Sequence, residues 1–249
     1  MKYTLLRNAA AKLVYAGAAF LLDPAFTEKG QGPSYAGERN SPLKELPCSV
    51  REAVSGTDAV VISHIHSDHF DEAASAALDK ALPVFCQPAD TANPLLAPFR
   101  DVRPLGGKGQ LGGVRLRSVP ARHGTSPAVL ADMGASSGII FTAEGEPTVY
   151  WAGDSVWYEG VRHTIETFSP EVVIVHAGSA MWMGEPITMD AAGVLSVCRA
   201  APAAKVIAIH MESCDHCRVS RAALRAAADA AGISRAQLLI PADGEEIMI

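Results

Sequence analysis

"VVISHIHSDHF", Val60 to Phe70, places His64, His66, Asp68 and His69 within six positions, directly after an apolar run that reads as a buried strand. The chain has eight histidines in 249 residues, and three of them stand here. Alternate residues of an extended segment point the same way, so His64, His66 and Asp68 share one face. His69 follows where the chain turns into a helix that Asp71 is expected to cap. Imidazole nitrogens with carboxylate oxygens suit zinc, and also iron, manganese or nickel. The competing reading is a polar loop whose histidines cap the helix and bond one another. It is weakened by the cost of crowding four ionisable groups together without a cation.

Strand-like and helical runs alternate through the rest of the chain. "AVVIS" leads into "FDEAASAALDKAL", and "LPVFCQ" into "PADTANPLLAPF", both read as strand then helix. Gly106 to Gly124 reads as a glycine-hinged hairpin, and a second hairpin turns at Glu144-Gly145. Further strands are expected at "EVVIVHAG" and "AKVIAIH". Helices are expected at "VWYEGVRHTIETF", at "TMDAAGVLSVCRAA" from Thr188, and at "SRAALRAAADAAG" between Ser220 and Gly232. The N-terminal segment reads as two short strands turning at Ala16-Gly17 and ending at Asp23-Pro24. Residues 28–42 form the longest loop, of a length that often carries function. Two packed sheets flanked by helices satisfy this order.

Composition narrows the function classes. A hydrophobic content of 49% and a mean hydropathy of +0.15 describe a well-packed globular protein. A net charge of -6 and a pI near 5.7 argue against a nucleic-acid or anionic-membrane surface. No apolar run reaches the ~18 residues that a membrane span needs. Arg7 and Lys12 interrupt the faint resemblance of the N-terminus to a signal peptide. Cys48, Cys86, Cys198, Cys214 and Cys217 are odd in number and scattered, as reduced thiols are. The expectation is a cytoplasmic protein acting on a small molecule, with a homo-oligomer left open.

His64-x-His66-x-Asp68-His69 after a hydrophobic strand resembles the signature of the metallo-β-lactamase-fold hydrolases. "SVPARHG" with His123, "VYWAGDS" with Asp154 and "KVIAIHM" with His210 follow in the order that family implies, and "LLDP", Leu21 to Pro24, resembles its early strand end. The likeness spans nearly the whole chain and is nearest to short bacterial members similar to the ascorbate-phosphate lactonase-like group. It implies an α/β fold, a four-layer αββα sandwich, over residues 1–249 as one domain with halves of about 1–125 and 126–249. It also implies two divalent metal ions, zinc first, with manganese or iron as alternatives. By resemblance His64, His66 and His123 hold one ion, Asp68, His69 and His210 the other, and Asp154 bridges them.

Such a pair activates water against a small ester, lactone, amide or thioester. A phosphodiesterase or nuclease, and a metal-binding regulatory protein, are the competing functions. In the catalytic roles stand Asp68, orienting the nucleophile, and His216, as proton donor or substrate contact. Where related proteins often carry Gly-His, this chain has Arg7-Asn8, which leaves Asn8 between a turn residue and a site residue. His176 is either a functional strand-end residue or a buried histidine bonded to backbone. Met181, Trp182 and Met183 either wall a substrate pocket or form an ordinary apolar loop. The Cys214–Cys217 loop is read as lying behind the metal ligands or facing substrate, and His163 as a solvated helix residue.

Overall fold

The computed structural model describes residues 1–249. Its first sheet contains β1 (Lys2–Arg7), β2 (Ala10–Tyr15), β3 (Ala18–Leu22), β4 (Ala59–Val61), β5 (Pro83–Cys86) and β6 (Asp101–Pro104). The second contains β7 (Lys108–Leu111), β8 (Val114–Pro120), β9 (Ser137–Thr142), β10 (Val149–Trp151) and β11 (Val172–His176). After a separate hairpin of β12 (Met181–Trp182) and β13 (Glu185–Pro186), the second sheet gains β14 (Lys205–Ile209) and β15 (Leu238–Leu239). The last strand, β16 (Glu246–Met248), returns to pair antiparallel with β1, so the chain end closes the first sheet. Strands β3 to β6 run parallel, as do β10, β11, β14 and β15, while the remaining neighbours are antiparallel.

The apolar alternation of the strands sets the layers. In β11, Val172 and Ile174 face the other sheet, while Val173 and Val175 face helices. The inner faces of both sheets interlock through Leu5, Phe20, Phe85, Phe141, Trp151 and Ile207, all buried. On the first sheet's outer face lie α1 (Val50–Val54) and α2 (Glu72–Ala77). On the second sheet's outer face lie α4 (Glu159–Phe168), α5 (Ala191–Ala200) and α6 (Arg221–Ala230), after a short α3 (Pro127–Met133) at the rim. The architecture is a four-layer αββα sandwich.

Local differences from expectation have identifiable causes. The N-terminal segment makes three strands, because Asn8 takes a left-handed φ of 59° and turns the chain between β1 and β2. Residues 88–96 form two short 3₁₀ turns in place of a helix, each opened by a proline, Pro88 and Pro94, that supplies no amide to a preceding turn. Helix α5 starts at Ala191, capped by Asp190 and not Thr188. Helix α3, which opens on a Ser126 cap and Pro127, was not among the expected helices. Asp71 does cap α2, accepting from the Ala74 amide.

Candidate metal centre

The ends of β3, β4, β8, β10, β11 and β14 meet at one edge of the sandwich, and each delivers an acid or imidazole there. Asp23 follows β3, His64 to His69 follow β4, His123 follows β8, Asp154 follows β10, His176 ends β11 and His210 follows β14. Apart from His66 and the edge of Asp68, these side chains are buried. Two groups result. His64, His66 and His123 form one, and His69, Asp154, His176 and His210 the other; in each, the nitrogen and oxygen atoms lie within 4.8 Å of one another. Asp154 lies between them, its Oδ2 3.4 Å from His123 Nε2 and 3.2 Å from His69 Nε2, its Oδ1 3.8 Å from His210 Nε2. Asp68 Oδ2 stands 3.2 Å from His210 Nε2 and 3.8 Å from His69 Nε2. The seven residues singled out in the sequence are thus gathered at one point.

The outward hydrogen bonds decide what the inward nitrogens carry. Asp23 accepts from the Ser63 amide at 2.7 Å, from Ser63 Oγ at 2.6 Å and from His69 Nδ1 at 2.7 Å. With its proton given to Asp23, Ser63 Oγ accepts from His64 Nδ1 at 3.0 Å. His123 Nδ1 donates to the Ile187 carbonyl at 2.8 Å. In a neutral ring the proton therefore sits on the outward nitrogen, and His64, His69 and His123 turn lone pairs inward.

The donor set calls for positive charge at its centre. Burial alone would raise the carboxyl pKa of Asp154, but His69, His210 and His123 hold it well below the usual carboxylate range. Burial likewise works against Asp68, which His69 and His210 keep ionised. At His69, burial favours the neutral ring, yet Asp154, Asp68 and Asp23 push its pKa up to about 10. Protons cannot answer this demand on both sides. His69 Nε2 and His210 Nε2 face each other at 3.2 Å, and two N–H groups at that distance would repel. His64, by contrast, is lowered by burial and by neighbouring His69 and His66, so it remains a neutral donor of electrons. Converging imidazole lone pairs and ionised carboxylates fit divalent cations.

Three residues support the ligands, and of these only His176 stands out in the sequence. Asp23, noted only as part of "LLDP", orients His69 and, through Ser63, His64. His176 is buried and bonded not to backbone but to the site. Trp151 Nε1, which can only donate, reaches His176 Nε2 at 3.1 Å, so His176 Nδ1 carries the proton and donates to Asp154 Oδ1 at 2.5 Å. Both ring nitrogens are thereby used, and His176 fixes the Asp154 carboxylate. Asp215 has a different task. Its carboxylate accepts from Ser34 Oγ and from the amides of Tyr35, Ala36, Glu38 and Arg39, tying the long 28–42 loop down beside the site. No sequence spacing signals these pairings.

Asn8 is both a turn residue and a site residue. Its Nδ2 lies 3.3 Å from Asp68 Oδ2 and 3.3 Å from His210 Nε2. Cys214 Sγ is 3.6 Å from Asp68 Oδ2 and Cys217 Sγ 3.8 Å from His210 Nδ1, so each thiol touches a candidate ligand. All five cysteines are free. His216 joins neither group; its ring lies 4.7 Å from that of Tyr35, whose hydroxyl meets Ser67 Oγ at 2.7 Å. His163 is exposed on α4. No helix is long and apolar enough to cross a membrane.

The chain is similar to known proteins over nearly its whole length. The profile of the beta-lactamase superfamily domain matches residues 19–211. The UPF0173 protein YddR of Bacillus subtilis is 34% identical over 98% of both chains. A UPF0173 metal-dependent hydrolase of Xanthobacter autotrophicus is 31% identical over 83% of this chain and 82% of its own. Among solved structures, a possible metal-dependent hydrolase from Veillonella parvula superposes with a TM-score of 0.95 at 32% identity, covering 100% of this chain and 99% of the other. An isothiocyanate hydrolase from Delia radicum gut bacteria superposes with a TM-score of 0.93 at 34% identity and the same coverage.

Proposed function

We propose, for a chain that belongs to the beta-lactamase superfamily and is a metal-dependent hydrolase, that its buried His/Asp centre holds two divalent ions, zinc first, and hydrolyses a small uncharged substrate at an electrophilic carbon. The observation that carries this reading is the set of outward hydrogen bonds from Ser63, Asp23 and the Ile187 carbonyl, which leaves lone pairs converging on two ionised carboxylates. His64, His66 and His123 would hold one ion, Asp68, His69 and His210 the other, with Asp154 between them. When bound, such a pair supplies Lewis acidity, bringing the pKa of a water towards ~7 and neutralising charge that develops on the substrate.

The remaining chemistry belongs to the chain's own residues. Asp68 Oδ2, held by the Asn8 amide, orients the attacking water. His176, fixed by Trp151, keeps Asp154 in one rotamer. His216, lowered in pKa by burial, is neutral and offers a single proton or a contact to bound substrate. The Tyr35 loop, tied down by Asp215, limits water access beside it.

Esters, lactones, amides and thioesters fit this chemistry. A heterocumulene is favoured among carbon electrophiles by the full-length likeness to an isothiocyanate hydrolase. There, water would add across the N=C bond to give a thiocarbamic acid, whose C–N bond breaks to release an amine and carbonyl sulfide. Phosphodiesters are disfavoured by the net charge of -6. A cytoplasmic enzyme fits the free thiols. Kinetic screening of the zinc-reconstituted protein against isothiocyanate, lactone, ester, thioester and phosphodiester panels tests the assignment. Turnover confined to phosphodiesters would overturn it.

A further inference from the structure

The hairpin β12–β13 stands out from the sandwich at the edge that carries the centre. Both ends are anchored to it. The Met181 amide donates to the His216 carbonyl at 3.1 Å, and Ile187, just past β13, supplies the carbonyl that orients His123. Glu185 is gripped by the amides of Thr125 and Ser126, two and three residues beyond His123. The turn at the tip is built on Met183 and Gly184, with φ of 49° and 84°. Asn or Asp ordinarily takes the first of these positions. Here it is methionine, with 70% of its surface exposed.

Across from the hairpin lies the loop that Asp215 ties down. Between them opens a cleft of about 490 Å³, lined by Tyr35, Ala36, Met181, Trp182, Met183 and Arg218. It lies open along one side, as a surface groove does. The polar groups around it are already engaged. Arg218 is paired with Glu38 at 2.9 Å, the Trp182 indole donates to Asp132 at 2.5 Å, and the Tyr35 hydroxyl is on Ser67. What the cleft offers is thioether, indole face and phenol ring. It adjoins the centre through Tyr35, which packs on His216 and bonds Ser67, the residue next to Asp68.

We propose that this cleft binds the apolar alkyl or arylalkyl tail of the substrate, with Met181, Trp182 and Met183 setting specificity for tail length. The proposal rests on the hydrolase reading above and deepens it: the electrophilic carbon lies at the centre while an uncharged tail extends between Tyr35 and the hairpin. Methionine's flexible thioether suits tails of varied shape, and the exposed Met183 becomes covered only when a tail is bound.

Two measurements test it. In protein labelled with ¹³C-methyl methionine, with Met181 and Met183 assigned through Met181→Leu and Met183→Leu, 2-phenylethanol shifts both methyl signals and ethanol does not. Kinetically, the ratio of kcat/KM for phenethyl over methyl isothiocyanate falls about tenfold in Met183→Asn, a substitution that suits the turn, and in Trp182→Ala. Unmoved methionine methyls, or an unchanged ratio in both variants, overturns the proposal. Should the wild type hydrolyse neither isothiocyanate while 2-phenylethanol still shifts Met181 and Met183, the heterocumulene reading fails and the cleft stands.

Discussion

Replacing Asp23 with asparagine keeps the shape of a fully buried side chain and removes its charge. The carboxylate takes three hydrogen bonds, from the Ser63 amide, Ser63 Oγ and His69 Nδ1. Ser63 Oγ and His69 Nδ1 share Oδ2 while the Ser63 amide takes Oδ1, so an asparagine NH₂ faces either the Ser63 N–H, a clash the backbone cannot relieve, or the hydroxyl and the imidazole N–H together. The serine can rotate, but the imidazole cannot, short of turning its proton inward onto Nε2. His69 would then present a proton where a lone pair is needed. Losing a charge-assisted hydrogen bond costs about 1.5–3 kcal/mol. Disturbing the partner of a metal-bound histidine weakens metal affinity by about 10–100-fold, or ~1.4–2.7 kcal/mol. The two magnitudes agree, so Asp23→Asn should raise the dissociation constant of the more weakly held ion by that factor. Competition against a chromophoric zinc chelator measures it, and the circular dichroism of the variant should match wild type. Affinity unchanged within twofold would refute the role given to Asp23.

Asp68→Ala should abolish hydrolysis with little loss of fold, since the side chain lies at the centre's edge; turnover near wild type with full metal content would remove Asp68 from its role. His210→Ala should lower the occupancy of one ion, whereas Cys214→Ser and Cys217→Ser leave metal per chain unchanged; elemental analysis giving the opposite pattern would make the loop a separate thiolate site. Asp215→Asn should loosen residues 34–39 and speed tryptic cleavage at Arg39. Burial works to raise the Asp215 carboxyl, but the Ser34 hydroxyl and the amides of Arg39, Tyr35 and Ala36 hold it far below the ordinary value. A depressed carboxylate stabilises the fold above its unfolded pKa of ~3.9, and this contribution is lost as pH falls below that value. Protection of Arg39 in the wild type at pH 7, lost in the variant, is the expected result; equal cleavage would contradict the tether.

What the sequence made legible was the set of strand ends. An apolar run followed by His or Asp places that residue where the strand leaves the core, and this holds at His64, Asp154 and His210. The supporting layer was hidden because its bonds join positions far apart in the chain: Asp23 to His69, Asp154 to His176, and Asp215 to the loop at Ser34–Arg39. The first turn was half legible: Asn8 is readable as a turn residue, but the extra strand it creates is not. Asn8 supplies the left-handed conformation without a glycine, and the alanines after it continue the apolar pattern into β2. Helix α3 did carry a readable signal in Ser126-Pro127, a cap followed by a first-turn proline. The two prolines that broke residues 88–96 into 3₁₀ turns were equally visible.

Metal stoichiometry tests the central claim most directly. Native mass spectrometry of the intact chain, reconstituted with zinc and freed of loosely bound ions, should show two zinc ions per chain. Wild type should lose one in the His210→Ala variant and retain both in Cys217→Ser. A chain that takes up no more than one ion under saturating zinc, with the fold intact, would contradict the paired centre.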